Sequence, residues 1–335
     1  MKILVTGAAG FIGYHLTKYL ANEKHAVTCI DNINDYYDVD LKLGRLTDLG
    51  FVIDKPREKN ADYSIISSVF PGIKFYKMDL CDKDRITKLF SDNNFDIILH
   101  LAAQAGVRYS LENPDVYISA NIQGFLNILE AARQYPPKHL VYASSSSVYG
   151  LNNKTPFSEN DKVDQPASLY AATKRSGELI AHTYSHLFNI PLTGIRFFTV
   201  YGPWVRPDMA PFIFTKSIIE EKPISVFNFG NMKRDFTYVD DIVEGINRIM
   251  NMIPGNNKIY NIGNGEPISL MDFIHTLEDA LGKKAILRYE PMQSGDVYMT
   301  WADCSALEHD TGFRPYTPLS DGICKFVEWY INFYA

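Results

Sequence analysis

Residues 2–13 read KILVTGAAGFIG, a short apolar strand pattern that runs directly into three glycines and the start of a helix pattern. Gly7, Gly10 and Gly13 permit the tight turn, and they let backbone N–H groups and the helix N-terminus approach a pyrophosphate. Their spacing is G-x-x-G-x-x-G rather than G-x-G-x-x-G, which indicates a variant of the dinucleotide-binding fold. A plain strand-to-helix turn uses similar glycines, so the surrounding sequence has to decide between the two.

Two aspartates at the ends of the next predicted strands favour the dinucleotide. Asp31 ends the second strand, where a carboxylate can accept hydrogen bonds from an adenosine ribose. A carboxylate there repels a 2′-phosphate, and no Arg or Lys follows directly, so NAD is favoured over NADP. Asp79 closes the third strand and is predicted to meet the adenine edge. Either aspartate alone would also suit a turn or a helix N-cap, but their positions at successive strand ends favour a bound cofactor.

The first two thirds of the chain alternates short β-branched runs with helix patterns, which is typical of βαβ units and a parallel sheet. The strands are apolar almost throughout, which predicts that helices cover both faces of the sheet. The sequence therefore predicts an α/β fold with a Rossmann-type doubly wound parallel sheet. The predicted strands are 3–6, 26–31, 74–79, 97–102, 139–144 and 192–197, and the predicted helices are 11–22, 83–92, 115–134 and 168–187.

Beyond residue 200 the strands become shorter and Pro and Gly more frequent, so we predict a smaller, interleaved α/β C-terminal lobe that binds substrate. Residues 1–198 are the predicted NAD-binding domain, to which residues 235–262 return, and residues 199–335 are the predicted second lobe. The polar stretch 32–72 is predicted to form a helix plus a surface insertion, with the charged run KPREK at residues 55–59.

The composition is that of a globular chain, with 46% hydrophobic and 21% charged residues, which excludes disordered and collagen-like classes. The 33 Lys and Arg residues against 39 Asp and Glu residues give a net charge of −6, which repels polyanions, so we expect no nucleic-acid partner. No apolar stretch approaches the roughly 20 residues of a bilayer span, and no signal-peptide pattern is visible. We therefore expect no membrane partner and a cytoplasmic location.

The four cysteines are widely spaced and form no C-x-x-C pair, which argues against disulfides and a zinc site. We expect buried thiols in a reducing compartment, and no metal. The cysteines are Cys29, Cys81, Cys304 and Cys324.

A phenol and an ammonium are predicted on one helix face, because Tyr170 and Lys174 lie four residues apart. Most pairs at this spacing are solvated surface pairs. Beside a nicotinamide the pair becomes reactive, since an ammonium favours the phenolate, which can remove a proton from a sugar hydroxyl. Ser145, at the end of the fifth predicted strand, can hydrogen-bond the same hydroxyl, although a serine there also suits a simple turn.

These motifs together resemble the extended short-chain dehydrogenase/reductase superfamily, through residues 6–13, the serine run SSSSVYG at 144–150, and Tyr170 with Lys174. The stretches RFFTVYGP at 196–203 and RDFTYVDD at 234–241 resemble its nucleotide-sugar branch. Within that branch the chain is most similar to the UDP-glucuronate 4-epimerase family, on DNINDYYD at 31–38 with Leu41 and Lys42, LAAQAGVRYS at 101–110 and RPDMA at 206–210. The resemblance covers essentially the whole chain.

The resemblance implies an enzyme that interconverts UDP-glucuronate and UDP-galacturonate through a transient 4-keto sugar, with the hydride stored on tightly bound NAD. It implies that Tyr170 is the base at the 4-hydroxyl, that Lys174 promotes its ionisation and binds the nicotinamide ribose, and that Ser145 hydrogen-bonds the reacting oxygen. The implied cofactor-binding residues are Gly7, Gly10, Phe11, Ile12, Gly13, Asp31, Asn32, Asp79, Leu80, Leu101, Ala102, Ala103, Asn121, Tyr170, Lys174 and Phe197.

A uronate substrate needs a cationic clamp, because a 4-ketohexuronic acid is a β-keto acid that readily loses CO₂. Arg206 is the predicted clamp, since a guanidinium can hold a carboxylate in bidentate fashion; an ordinary surface-loop arginine is the alternative. Arg234 is the candidate for the UDP pyrophosphate, with a salt bridge to Asp235 as the alternative, and Asp296 is the candidate for the uridine ribose. The predicted substrate-binding residues are Ser145, Ser146, Ser147, Thr199, Arg206, Arg234, Asp296 and Arg108.

Three alternatives remain open. UDP-glucuronate decarboxylases and sugar dehydratases resemble this chain, but they typically carry an acidic residue where Ser147 stands. A neutral UDP-galactose 4-epimerase is disfavoured by the Arg206 loop and by residues 31–42. A non-catalytic NAD-sensing protein on this fold usually lacks the Tyr or the Lys, and this chain has both.

The resemblance also implies a homodimer that forms through the predicted helices 115–134 and 168–187. Both helices carry apolar faces, although a stripe that faces the core gives the same pattern.

Overall fold

The computed structural model describes residues 1–53, 64–253, 255–293 and 296–334. The charged run at 55–59 lies outside these residues, as do Ser294 and Gly295. The chain forms two compact units. The first comprises Met1–Ser144, Leu169–Ile195 and Ile246–Ile259, and the second comprises Ser145–Ser168, Arg196–Gly245 and Tyr260–Ala335.

Strands and helices alternate through the first half of the chain. The strands are β1 Lys2–Thr6, β2 Ala26–Asp31, β3 Ser64–Ile66, β4 Ile73–Lys77, β5 Ile97–His100, β6 His139–Ser145, β7 Leu192–Phe197, β8 Thr199–Tyr201, β9 Pro223–Phe227, β10 Lys233–Tyr238, β11 Lys258–Ile262, β12 Pro267–Ser269 and β13 Ile286–Glu290. The helices are α1 Phe11–Asn22, α2 Val39–Asp48, α3 Lys83–Asn93, α4 Tyr109–Glu112, α5 Asp115–Tyr117, α6 Phe125–Gln134, α7 Leu169–Phe188, α8 Ala210–Ile219, α9 Val239–Met250, α10 Leu270–Leu281, α11 Ser305–Thr311 and α12 Leu319–Tyr334.

The main sheet has eight strands in the order β11-β7-β6-β5-β1-β2-β4-β3. β1 lies between β2 and β5 and pairs in parallel with both, with Ile3 opposite Val27 and Ile97. Ile3, Leu4 and Val5 are fully buried, as expected for a strand covered on both faces. The predicted α/β fold with a Rossmann-type, mostly parallel sheet is confirmed; the edge strand β3 is antiparallel to β4.

The stretch between β2 and β4 and the predicted helix 115–134 differ from a simple alternation. Within residues 32–72 the structure contains α2 and β3. The predicted helix 115–134 is interrupted by a π-helical segment, Ile118–Gly124, between α5 and α6. The buried side chain of Asn121 lies in this segment and bonds to residues outside it. Tertiary hydrogen bonds of this kind explain why a π-helical turn is stable there.

The second unit contains two small sheets, β12-β10-β8 and β13-β9. β8 pairs in parallel with β10, and β10 pairs antiparallel with β12. One apolar cluster of this unit contains residues from the segment after β6, from the end of β7 onwards, and from the segment before α11. This cluster comprises Val148, Tyr149, Phe157, Val163, Phe198, Ala302 and Cys304.

The predicted domain limits, 1–198 with 235–262 against 199–335, stay a prediction. The two compact units differ from them most clearly at Ser145–Ser168, which belongs to the second unit. All four cysteines are free, but the expectation of burial was right only for Cys29 and Cys304; Cys81 and Cys324 are exposed. Among the described helices, none has the length and apolar character needed to cross a bilayer.

Candidate active site

The glycine turn between β1 and α1 is packed too tightly for side chains. Gly7 has φ +74°, and a Cβ on it would lie 2.8 Å from the backbone nitrogen of Ala102. A Cβ on Gly13 would overlap the carbonyl oxygen of Gly7. The N–H of Gly7 donates to the carbonyl of Ile30 at 2.8 Å, which fixes the turn against the end of β2. The turn therefore presents bare backbone to whatever binds there.

The N-terminus of α1 has the character of an anion site. Gly10 is the N-cap and supplies no side-chain cap, and the first turn contains no acidic residue. The backbone N–H groups of Phe11, Ile12 and Gly13 are the ones that a helix leaves without intrahelical partners. The helix dipole adds partial positive charge at the same place. The backbone N–H groups and the dipole together favour an anion such as a pyrophosphate at this position.

Asp31, Asn32 and Asp79 meet at the carboxyl ends of β2 and β4. One oxygen of Asp31 accepts from the N–H of Ala9 at 3.1 Å, and the other accepts from the N–H of Ile33 at 2.8 Å. The side-chain amide of Asn32 donates to Asp79 at 2.9 Å. Each carboxylate oxygen can accept a further bond, so Asp31 can shape the glycine turn and still meet a ribose hydroxyl. β4 ends at Lys77, two residues before the predicted strand end.

The segment after β5 closes over the glycine turn. Thr6 Oγ1 accepts from the N–H of Ala102 at 3.0 Å and contacts His100 Nδ1 at 2.9 Å. The N–H of Leu101 donates to the carbonyl of Thr6 at 3.3 Å. These bonds place Leu101 and Ala102 beside Gly7, and Ala103 lines a cavity together with Lys174. Leu80, another predicted cofactor residue, accepts a hydrogen bond at its carbonyl from the side chain of Asn127 at 2.8 Å.

Asn121, a predicted cofactor residue, is 6% exposed and is engaged with protein groups. Its Oδ1 accepts from the N–H of Gln104 at 2.8 Å, and its Nδ2 donates to the carbonyl of Gln104 and to Thr173 Oγ1, both at 3.0 Å. These are the contacts of a buried brace that ties the segment after β5 to α7. A direct contact with a cofactor stays a prediction.

Tyr170 and Lys174 lie on α7, and Lys174 is only 8% exposed. Its ammonium lies 6.0 Å from the centre of the Tyr170 ring and donates to the carbonyl of Ala143 at 2.9 Å. Burial lowers the pKa of Lys174 to about 8, and the negative charge of Glu178 opposes that decrease. The ring of Tyr170 meets Tyr117 edge-on, with centroids 6.1 Å apart. The burial of Lys174 excludes a solvated surface pair.

A cavity in the first unit reaches the Lys174 ammonium. Its polar lining includes His100, Asn121, Tyr142 and Thr173. Burial and the charge of Lys174 lower the pKa of His100 to about 3, so this imidazole is neutral at ordinary pH. In the part of the chain that the structure describes, no three His, Cys, Asp or Glu side chains converge as metal ligands.

The serine run lies in the second unit from Ser145 onwards. Ser145 caps a 3-10 turn: its Oγ accepts from the N–H of Ser147 at 3.2 Å and from the hydroxyl of Ser147 at 3.0 Å. Its own O–H hydrogen can therefore donate elsewhere. Ser146 and Ser147 are half-buried, as is Thr199 at the start of β8. Phe197, at the end of β7, is buried.

Arg206, the predicted carboxylate clamp, already holds a carboxylate of its own chain. Its Nε and Nη2 donate to the two oxygens of Asp208 at 3.0 and 3.1 Å. Both side chains are partly exposed, at 23% and 31%. A uronate would have to share this guanidinium with Asp208 or displace it, so the role of Arg206 stays a prediction.

The contacts of the other predicted substrate residues do not by themselves indicate a substrate role. Arg234 Nη1 donates to the carbonyls of Lys233 and Tyr298, at 2.8 and 3.2 Å. The neighbouring carboxylate of Asp235 is fully buried and accepts backbone N–H bonds from the segments around residues 264 and 302. Asp296 is half-buried, and Arg108 is exposed at the N-cap of α4.

Comparison with known families decides what kind of protein this site belongs to. Residues 3–263 match the family model described as the NAD dependent epimerase/dehydratase family. The chain belongs to this family. A probable UDP-glucuronate 4-epimerase of Rhizobium meliloti is 44% identical, over 98% of this chain and 97% of its own length. Protein CapI of Staphylococcus aureus is 50% identical, over 100% and 99%.

The chain also matches solved structures of epimerases over its whole length. The crystal structure of UDP-glucuronic acid 4-epimerase from Bacillus cereus, in complex with UDP-glucuronic acid and NAD, is 35% identical to this chain. The match covers 100% of both chains with a TM-score of 0.87. The predicted resemblance to the extended short-chain dehydrogenase/reductase superfamily is confirmed.

Sequence reasoning missed several residues that contact the neighbourhood of Tyr170 and Lys174. Glu178 and Ser144 are bonded to each other at 2.7 Å, next to the Lys174–Ala143 contact. Tyr117 donates to the carbonyl of Gly106 at 2.6 Å while it packs against Tyr170. One signal was available: Glu178 follows Lys174 by four residues and so shares its helix face.

Proposed function

We propose that this chain is a UDP-glucuronate 4-epimerase, which interconverts UDP-glucuronate and UDP-galacturonate with NAD as a tightly held cofactor. The observation that carries the proposal is the full-length likeness to the Bacillus cereus enzyme, at 35% identity and a TM-score of 0.87. The buried ammonium of Lys174, 6.0 Å from the Tyr170 ring, is what an epimerisation through a ketone needs from the protein.

The residues present fit NAD. The glycines allow the close packing of this turn, and a pyrophosphate would bind at the N-terminus of α1, where backbone N–H groups and the helix dipole favour an anion. Asp31 and Asn32 would hold the adenosine ribose, Asp79 the adenine edge, and Lys174 the nicotinamide ribose. The chemistry that NAD supplies when bound is reversible acceptance of a hydride from the sugar C4 carbon.

Tyr170 would act as the base that removes the proton of the 4-hydroxyl, and as the acid that returns it. The Lys174 cation on the same helix face stabilises the phenolate. Ser145, whose Oγ accepts from two groups of Ser147, has its own hydrogen available for the reacting oxygen. Ketone formation removes the stereochemistry at C4, and return of hydrogen to the opposite face of the sugar inverts it.

Arg206 would hold the uronate carboxylate so that the β-keto acid keeps its CO₂ while the ring turns. Ser146, Ser147 and Thr199 would donate further hydrogen bonds to it. Arg234 would meet the pyrophosphate of UDP, and Asp296 the uridine ribose. Arg108, which is exposed in the first unit, is the remaining proposed substrate residue.

The rival functions are disfavoured by particular residues. Ser147, which stands where decarboxylases and dehydratases carry an acid, is a hydroxyl that donates to Ser145. A neutral epimerase has no need of the Arg206 clamp. A non-catalytic NAD sensor would not need a buried, positioned Lys174.

The enzyme is proposed to be a cytoplasmic homodimer without nucleic-acid or membrane partners. The net charge of −6 disfavours polyanions. α7 supports a dimer contact, because it exposes Leu179 at 52% and Leu187 at 60%. Light scattering of the wild type and of a double variant L179D/L187D tests this; a monomeric wild type would contradict it.

NMR of the purified protein with UDP-glucuronate, without added NAD, tests the function. We expect UDP-galacturonate to appear and the mixture to reach the same composition from either sugar. UDP-xylose with CO₂ would instead indicate a decarboxylase, and turnover of UDP-galactose with none of UDP-glucuronate would indicate a neutral epimerase. No turnover of any of the three would contradict an epimerase.

A further inference from the structure

Three polar side chains follow one another on a single face of α7. Tyr170, Lys174 and Glu178 are spaced by four residues, and that spacing places them in one row along the helix. Glu178 is 1% exposed, which makes it more deeply buried than Lys174. A carboxylate this deep is stable only where charges and hydrogen bonds compensate for its lost hydration.

The compensation comes from Arg175 and from the end of β6. One oxygen of Glu178 accepts from the hydroxyl of Ser144 at 2.7 Å, and the other accepts from Arg175 at 2.9 Å. Lys174 donates to the carbonyl of Ala143, the residue before Ser144, at 2.9 Å. Two consecutive residues of β6 are thus bonded to two consecutive positions of the same helix row. Ser144 directly precedes Ser145 in the chain.

Glu178 also balances the charge of Lys174. The titratable groups that face Lys174 are Glu178 and Tyr170 from α7, His100 from β5, and Tyr142 from β6. Burial lowers the pKa of Lys174, whereas the Glu178 charge raises it. His100 carries no charge at neutral pH. Glu178 is therefore the acidic group that counteracts loss of the proton from Lys174.

We propose that Glu178 is a positioning residue for the reaction at Tyr170 and Lys174: it bonds α7 to the end of β6 through Ser144, and its charge keeps Lys174 cationic. This inference rests on the proposed function, because it assumes that Lys174 must be an ammonium during turnover. Glu178 itself touches neither cofactor nor substrate in this scheme.

The test separates the hydrogen bond from the charge. E178Q keeps the size of the side chain and an acceptor for Ser144, but it removes the charge. S144A removes the hydrogen bond and keeps the charge. E130Q is the matched control, because Glu130 on α6 also pairs with an arginine three residues away, Arg133, and accepts from a hydroxyl, that of Tyr184 at 2.6 Å.

The first readout is the titration of Lys174 itself, followed by NMR of holoenzyme labelled with [ε-¹³C]lysine and assigned by loss of the signal in K174M. We expect E178Q to lower the midpoint by about one pH unit or more, and S144A and E130Q to leave it in place. An unchanged midpoint in E178Q would overturn the proposal. If E178Q does not fold, E178D keeps the charge and shortens the reach, and it is expected to titrate like the wild type.

The second readout is the pH dependence of epimerisation. E178Q should move the alkaline limb of kcat to lower pH with KM for UDP-glucuronate unchanged, whereas S144A and E178D should lower kcat at all pH values. Unchanged kcat in both S144A and E178D would overturn the positioning role. A wild type that makes no UDP-galacturonate, but whose Lys174 midpoint still moves in E178Q, would contradict the proposed function and support the coupling of Glu178 to Lys174.

Discussion

The guanidinium of Arg206 donates one hydrogen bond to each carboxylate oxygen of Asp208, at 3.0 and 3.1 Å. This bidentate pairing is the geometry that a substrate uronate would also adopt. Under the proposed role of Arg206, Asp208 would compete with the substrate carboxylate for this guanidinium and would place a negative charge near it. The proposed role of Arg206 can therefore be tested with two variants, one at Arg206 and one at Asp208, that are expected to have opposite effects.

Removal of Arg206 and removal of the Asp208 charge should act in opposite directions. R206A should weaken binding of UDP-glucuronate by about 10- to 100-fold, because a charge-assisted pair is lost, and it should leave binding of UDP nearly unchanged. D208N should strengthen binding of UDP-glucuronate, since the competing charge is gone. Calorimetric titration of both ligands measures this. Equal losses for UDP and UDP-glucuronate in R206A would show that Arg206 is not the uronate clamp.

Loss of the Tyr170 hydroxyl should slow catalysis strongly and leave the binding of substrate unchanged. Y170F is expected to lower kcat by about 10²- to 10⁴-fold, the usual contribution of a positioned acid–base group. Its ring contact with Tyr117 is retained, so the fold and the affinity for UDP-sugar should stay as in the wild type. Y184F, which removes another hydroxyl of the same helix, is the control. Turnover in Y170F close to that of the wild type would contradict the assignment of the base.

The burial of Lys174 should appear as a pH dependence of stability in cofactor-free protein. Its pKa is about 8 in the fold against an ordinary value of 10.5. Between these values the unfolded chain binds the extra proton, so the free energy of unfolding rises with pH, and the penalty is complete below pH 8. The difference in pKa corresponds to about 3 kcal/mol.

Urea unfolding of the wild type and of K174M between pH 7 and pH 10.5 compares the two proteins over the range in which Lys174 titrates. K174M should be the more stable protein at neutral pH, and the gap should close as the pH rises. Parallel curves would contradict a buried, protonated Lys174.

Asp235 should be a stability residue of the second unit. Its two oxygens accept from the N–H groups of Asn264, Gly265 and Ala302, at 2.7, 3.1 and 2.9 Å. D235N replaces one acceptor by a donor that faces these donors, so unfolding should become easier by about 2–4 kcal/mol. Denaturant titration measures it. D303N is the control, because a single oxygen of Asp303 accepts from both the N–H and the hydroxyl of Ser305; equal effects of the two substitutions would contradict this account.

Much of the fold follows from local pattern. β2, β7 and α1 have the predicted limits, because buried β-branched runs and an apolar helix face identify them without tertiary information. The π-helical turn at Ile118–Gly124 was not predictable, since it depends on what Asn121 bonds to at Gln104 and Thr173. β3 also escaped prediction, because a three-residue edge strand has too short a pattern.

The candidate site also contains features that the sequence predicts and features that it does not. The spacing of the glycines, and that of Tyr170 and Lys174, predicts their chemistry from the sequence alone. The burial of Lys174 and the Ser144–Glu178 bond depend on how α7 lies against β6, which no local pattern encodes. The pairing of Arg206 with Asp208 was visible as two nearby opposite charges, but its bidentate geometry was not.

The central claim is that the hydrogen removed from C4 of the sugar returns to that same carbon, on the other face. UDP-glucuronate that carries deuterium at C4 tests it most directly, in ordinary water with the protein as purified. The account predicts UDP-galacturonate with the deuterium still at C4, and no incorporation at C4 when unlabelled substrate is turned over in D₂O. Exchange of the C4 label with water during epimerisation would contradict it.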